Sequence, residues 1–292
     1  MKKKSIFFLV LLMLASVIPK AQNVSPISRD ANLSLFAGYF AKKQNTNNNG
    51  YWLGAYGDIP LKKSDNNAWN IGLYGLYVRS VWQNNLAQYQ SNSDAFAFGI
   101  NTGYYNEFLS YTHSMYLGFQ LGYKHVQEIG QVDKLNYSSK SVQQDHILAG
   151  SINFNLMKYS GYHERLLPRL QVIVSAEKSL NALKVLSENE APNVKIDAWN
   201  RDYYDVTAKQ SIYDIPLSYA GSVFLQPKVG GMYSHYMAGN PDSYALILEL
   251  SLHREYQDDF LSLSVMQKWN SDGGEYLFAM INLNILKLIN RN

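Results

Sequence analysis

From residue 33 onward, apolar and polar positions alternate with a period of two through most of the chain. Met115, Leu117, Phe119, Leu121 and Tyr123 share one face of a run whose other face carries Tyr116, Gly118, Gln120, Gly122 and Lys124. Leu148, Gly150, Ile152, Phe154 and Leu156 likewise oppose Ala149, Ser151, Asn153 and Asn155. Tyr244, Leu246, Leu248, Leu250 and Leu252 oppose Glu249, Ser251 and His253, and near the end Leu277, Ala279, Ile281 and Leu283 oppose Phe278, Met280, Asn282 and Asn284. Side chains in an extended strand point to opposite faces in turn, so this pattern predicts strands with one apolar and one polar face. The runs reach roughly ten residues, the length of a tilted strand crossing a bilayer, whereas strands of soluble sandwiches are nearer five or six. No segment carries a helical period.

Turn chemistry separates the runs: Asn45–Gly50, Ser64–Asn67, Asn84-Asn85, Gly239–Asp242 and Asn270–Gly274. Pro227 cannot donate to a ladder and splits the run 217–236 in this reading. The strands then begin near Leu33, Gly50, Trp69, Ala95, Met115, Ile147, Leu166, Leu217, Val229, Tyr244, Phe260 and Tyr276. About twelve strands, an even number, return both ends of a closed antiparallel barrel to the same side. With the N-terminus inside the envelope, the longest linkers, 128–145 and 179–215, fall on the outer face. The predicted fold is therefore all-β, a closed antiparallel up-and-down transmembrane β-barrel with a long outer loop over 179–215. Loops of that length are usually functional or disordered, and this one could fold into the lumen as a constriction, bind a partner or carry no specific role. Trp199, Arg201, Tyr203 and Tyr204, in its aromatic-acidic stretch, are the candidate contact residues for another envelope protein.

The first residues change the charge reading. Lys2, Lys3 and Lys4 precede an apolar stretch from Ile6 to Ile18, and Ala21 offers a small residue for cleavage. Residues 1–21 thus read as a signal peptide, with 22–292 as the barrel domain. The net charge of +3 rests on 26 basic against 23 acidic residues, and four of the lysines lie in the signal. Without them the chain is close to neutral, and no basic surface for nucleic acid is expected.

Cysteine is absent, so disulfides, thiolate metal sites and a lipidated N-terminal cysteine are excluded. No apolar run after the signal is long enough for a helical span, and lipid tolerates only helices or closed barrels. The 23 tyrosines and 5 tryptophans fit a chain that crosses lipid, because these side chains settle at its boundary with water.

Assigning the apolar faces to lipid turns the polar faces inward. Gln120, Lys124, Asn153, Asn155, Arg169, Glu177, Glu249, His253 and Asn282 are then the candidate lumen-lining residues. Both charge signs are present, which argues against a single-sign selectivity field; the face reads either as a water-filled interior that stabilises the barrel by pairing its own charges or as a lining for polar, largely uncharged solutes. Catalysis finds no footing: the six histidines lack metal-ligand spacing, and neither HExxH nor GxSxG occurs. Glu249 and His253 share a strand face but lie roughly 13 Å apart by strand rise. No enzyme activity, cofactor or metal is expected.

The signal, the long alternating strands, the asparagine-rich turns and the tyrosines together resemble the outer-membrane β-barrel proteins of Gram-negative bacteria over residues 33–289. That resemblance implies an outer-membrane location with lipid as partner. It does so at the level of pattern, with no residue motif to carry over. One departure is the ending Ile285–Asn292, apolar but without the terminal aromatic residue common in such barrels. The expected function is a channel for small polar solutes. The alternatives are an assembly component of a secretion or polysaccharide-export apparatus acting through 179–215, and, less favoured, a barrel enzyme.

Overall fold

The computed structural model describes residues 30–42, 47–84, 89–109, 113–134, 137–158, 169–180, 185–187, 202–217, 223–236, 242–254 and 259–289. The expected signal, residues 1–21, lies outside them.

Twelve strands form the wall: β1 (Asn32–Lys42), β2 (Asn47–Lys63), β3 (Asn67–Asn84), β4 (Tyr89–Leu109), β5 (His113–Lys134), β6 (Tyr137–Lys158), β7 (Arg169–Ser179), β9 (Tyr203–Ser211), β11 (Val223–Tyr236), β12 (Ser243–Arg254), β13 (Asp259–Asn270) and β14 (Glu275–Asn284). Two short pieces flank it, β8 (Val185–Ser187) on β6 and β10 (Ile215–Pro216) on β11. Each wall strand pairs antiparallel with the next, and β14 returns to β1, Ser34 opposite Asn284 through Lys42 opposite Tyr276. The sheet has no free edge over these pairings, so the wall closes as a barrel.

Alternation in sequence becomes alternation across the wall. Along β12 the inward positions from Ser243 to Ser251 are buried while Leu248 and Leu250 are 54% and 47% exposed. Outward leucines, isoleucines and valines recur on the neighbours: Leu53, Leu73, Ile100, Leu121, Ile152, Val206, Leu263 and Ile281. Aromatic rings bound this belt. Trp69 packs on Tyr104 at 5.0 Å toward the end where β1 begins and β14 finishes. Toward the other end lie Tyr51, Tyr77 and Phe96 on one side and Tyr204, Tyr233 and Tyr244 on another. Trp69 and Tyr77 on β3 are separated by about 26 Å along the strand, close to the height of a lipid-facing band before tilt is allowed for.

Four sequence expectations need correction. First, residues 128–145 are not a linker: β5 and β6 have 22 residues each and stay paired to Lys134 opposite Tyr137. Beyond the lipid band the strands no longer need an apolar face, so alternation fades while the ladder continues. Second, the loop 179–215 contains a wall strand, β9, paired with β7 on one side and β11 on the other. It supplies the eighth strand that had been placed at Leu217. Third, Pro227 does not split its run. In a strand a residue's N–H and C=O point to the same neighbour, and the Pro227 carbonyl accepts from Ile212 N at 2.9 Å. The missing donor therefore faces Ile212, where the β9 ladder ends and the interruption at 212–214 begins. Fourth, a short helix, Ile285–Ile289, follows β14. Asn284 caps it, accepting from Lys287 N at 3.1 Å, and Arg254 donates to the last carbonyls, 3.2 Å to Leu288.

Candidate functional site

The interior is chemically divided. One wall, built from β5–β7, β9 and β11–β13, carries charge from end to end. The opposite wall, β1–β4 with β14, carries a cluster of packed rings and, beside it, one buried carboxylate, Asp58, that accepts from Asn70 at 2.8 Å.

Near the end where β1 begins and β14 finishes, the interruption after β9 turns Asp214 inward. Its Oδ1 lies 3.3 Å from His253 Nε2 and accepts a hydrogen bond from Gln226. Arg169 Nη2 approaches His253 Nδ1 at 3.2 Å, and the ring of Phe224 stacks on the imidazole at 5.4 Å. Burial alone would raise the Asp214 pKa; the neighbouring His253 ring, the hydrogen bond from Gln226 and the Arg169 guanidinium outweigh it and hold the carboxyl below its ordinary value. One layer further in, Glu249 bridges Lys209 at 2.7 Å and Lys228 at 3.0 Å, and Lys228 also meets Asp259. These groups are largely withdrawn from solvent, so each charge leans on its neighbour.

Toward the other end the same wall continues with the Lys124–Glu177 ion pair. Ser175 donates to Asp205 at 2.7 Å, and Lys268 lies over the ring of Tyr236 at 5.8 Å. Tyr203 packs on Tyr236 at 5.7 Å. Beyond them Ser179 donates from its hydroxyl to Asp145 at 2.8 Å and from its amide to Asp202 at 2.9 Å, and Ser93 donates to Glu128.

The facing wall is an aromatic wedge of Phe36, Phe40, Trp52, Tyr56, Tyr276 and Phe278, closed in by Leu76 and Val78. Its rings lie flat on glycines of the adjacent strand. Trp52 is opposite Gly38 and Phe36 opposite Gly54, and a Cβ at either glycine would fall 2.0–2.1 Å from the ring. Phe40 and Gln226 are entirely inaccessible, and His253 and Lys268 nearly so, so side chains fill the bore at these levels.

The candidate lining residues all lie on inward positions. Glu249, His253 and Arg169 belong to the charged layers just described, and Lys124 and Glu177 pair with each other. Gln120 accepts from Ser151 at 3.3 Å, and Asn153 and Asn155 are buried on β6. Asn282 shares the inner face of β14 with Phe278. Glu249 and His253 take different partners and do not meet. Of the candidate loop contacts, Tyr203 and Tyr204 are wall residues of β9: Tyr203 points inward, Tyr204 outward against Tyr233 and His235. Trp199 and Arg201 lie outside the described residues. Sequence reasoning missed Lys209, Asp214, Lys228 and Asp259, the partners that neutralise the predicted ones, and it missed the wedge. The wedge was readable: Phe36, Gly38 and Phe40 share one face of β1, and Gly50, Trp52, Gly54 and Tyr56 share one face of β2. Asp214 leaves no such trace, because it sits where the alternation breaks. Among the described residues no three histidines or carboxylates gather as a metal cage.

A closed antiparallel wall, lipid-compatible outside and polar or packed within, is the architecture of an outer-membrane β-barrel, and that is the class of this chain. No protein-family model matches it, and no curated relative does. Among solved structures it is similar to the translocator domain of autotransporter NalP from Neisseria meningitidis, with TM-score 0.60 and 10% identity over 96% of this chain and 95% of that one. It is similar also to the transport unit of the autotransporter AIDA-I from Escherichia coli, with TM-score 0.61 and 11% identity over 97% and 99%. The β domain of the Bordetella autotransporter BrkA aligns with TM-score 0.52 and 10% identity over 87% and 98%. At such identities the likeness is one of fold.

Proposed function

We propose that this barrel is an occluded conduit for small polar solutes, with the charged wall as the route and the aromatic wedge as the closure. The observation that carries the reading is the division of the interior. Rings pack one side of the interior, so filling it does not require charge. Burying charged side chains in the other half costs several kcal/mol per ion before pairing recovers it. Charges kept in pairs along this wall are what a polar route needs once the wedge moves aside, whereas packing alone would be served by apolar side chains. Pairing of opposite signs leaves little net field, which fits uncharged polar solutes.

The test is single-channel recording of purified protein in a planar bilayer. Wild type is expected to conduct rarely, and Trp52→Ala, which removes a wedge ring, to open more often or more widely. A Trp52→Ala protein that folds and inserts yet leaves the bilayer as silent as a protein-free control contradicts the reading.

The likeness to translocator domains favours a second reading, in which the barrel serves a secretion apparatus through the connection between β7 and β9. A fixed partner that co-purifies and is lost on deletion of 185–200, with conductance absent throughout, is the result that would replace the first reading by the second.

A further inference from the structure

On the outward face, at the aromatic boundary opposite the start of β1, His125 of β5 and His146 of β6 stand directly across the ladder from each other. Their ring centroids are 4.8 Å apart. Tyr123 OH is hydrogen-bonded to His146 Nδ1, and Phe98 closes the other side of His125 at 5.2 Å. His125 Nδ1 is buried and has no hydrogen-bond partner. A buried ring nitrogen left unmatched costs free energy, and two stacked aromatic residues would serve the boundary without it.

We propose that His125 and His146 form a two-imidazole site for a divalent transition-metal ion, copper(II) or zinc(II). Imidazole nitrogens bind such ions at about 2.0–2.1 Å, so two ligands must bring their nitrogens within about 4 Å of each other. Rings at 4.8 Å between centroids meet that requirement with a rotation of the side chains. A metal-bound histidine ordinarily donates its second N–H to an oxygen that fixes its tautomer, and the Tyr123 hydroxyl at His146 Nδ1 is such an oxygen. With only two protein nitrogens, the remaining coordination positions go to water or to a headgroup oxygen, and copper(II) binds most tightly by the Irving–Williams order. The site does not depend on solute passage. His235, another outward imidazole among the described residues, is a natural control: Asp242 holds its Nδ1 at 2.8 Å, and its ring neighbour is Tyr204.

The experiment is a copper(II) titration of the full-length barrel in detergent, prepared without a polyhistidine tag and followed by electron paramagnetic resonance. Wild type is expected to bind one ion per chain with hyperfine structure from two imidazole nitrogens. His125→Ala and His146→Ala each lose that two-nitrogen signal, and His235→Ala keeps it. Tyr123→Phe keeps the signal but binds about tenfold more weakly, the scale of a lost supporting hydrogen bond. Heat-modifiable migration of each variant shows that it is folded. A two-nitrogen signal that survives in the His125→Ala, His146→Ala double variant, or a wild type without one, overturns the proposal.

Discussion

Residues on this wall act in pairs across the ladder, so single substitutions test the neighbour as much as the site. Gly54 lies under the ring of Phe36, and an added methyl must push that ring out of the wedge. Gly54→Ala is expected to lower stability by about 1–3 kcal/mol, the usual range for overpacking, in urea unfolding from detergent. Leu248 and Glu249 are adjacent in sequence and face different media. Leu248→Arg places a charge against acyl chains and should cost about 2–4 kcal/mol near the midplane. Glu249→Gln leaves Lys209 and Lys228 without their shared carboxylate and should cost about 3–5 kcal/mol. Near-neutral values for both in the same unfolding assay would place neither residue where this wall puts it. Asp214 adds a pH limb. Its carboxyl is held below the ordinary value, so its stabilisation is full above about pH 4 and is lost as the pH falls through the folded-state pKa. Hydrogen exchange at the Ile212 and Leu217 amides should therefore quicken in acid, and Asp214→Asn should remove that dependence.

At the scale of elements, strand faces were legible in sequence and strand ends were not. Faces follow from solvent: Leu246, Leu248 and Leu250 meet lipid, while Ala245, Ile247 and Glu249 meet the interior, and alternation records the difference. Ends follow from hydrogen bonds, which leave no mark on composition. The run Gln127-Glu-Ile-Gly-Gln131 reads as a linker, yet its backbone is paired on both sides. Tyr203–Ser211 alternates as Tyr203, Asp205 and Thr207 against Tyr204, Val206 and Ala208, but its inner face is polar and its outer face only weakly apolar, so charge and length dominated the reading. Pro227 misled for a third reason, since its cost depends on what faces its nitrogen. Because that neighbour is the 212–214 interruption, Pro227→Ala should change stability by no more than about 0.5 kcal/mol. A gain well above that would show that the proline strains β11 after all.

For the whole molecule, an even strand count and closure of β14 on β1 place both ends of the wall on one side and the β7–β9 connection on the other. An epitope inserted at Asn189 should then be reached by antibody on intact cells; detection only after permeabilisation would invert the topology. Strands β2–β6, with 17 to 22 residues, rise on that same side past the aromatic boundary, whereas β7 and β9 have 11 and 9. The interior contacts that distinguish this barrel, from Asp214 on His253 to Lys209 on Glu249, join residues far apart in sequence, and no local pattern announces them. The wedge, the charged wall and the histidine pair all depend on this chain closing into a barrel within the outer membrane. The direct test is to fractionate cells and run the outer-membrane fraction on gels with and without boiling. The account predicts the protein in that fraction, migrating faster unboiled than boiled because the closed sheet resists detergent. Recovery in the soluble periplasm, with the same migration in both lanes, would contradict it.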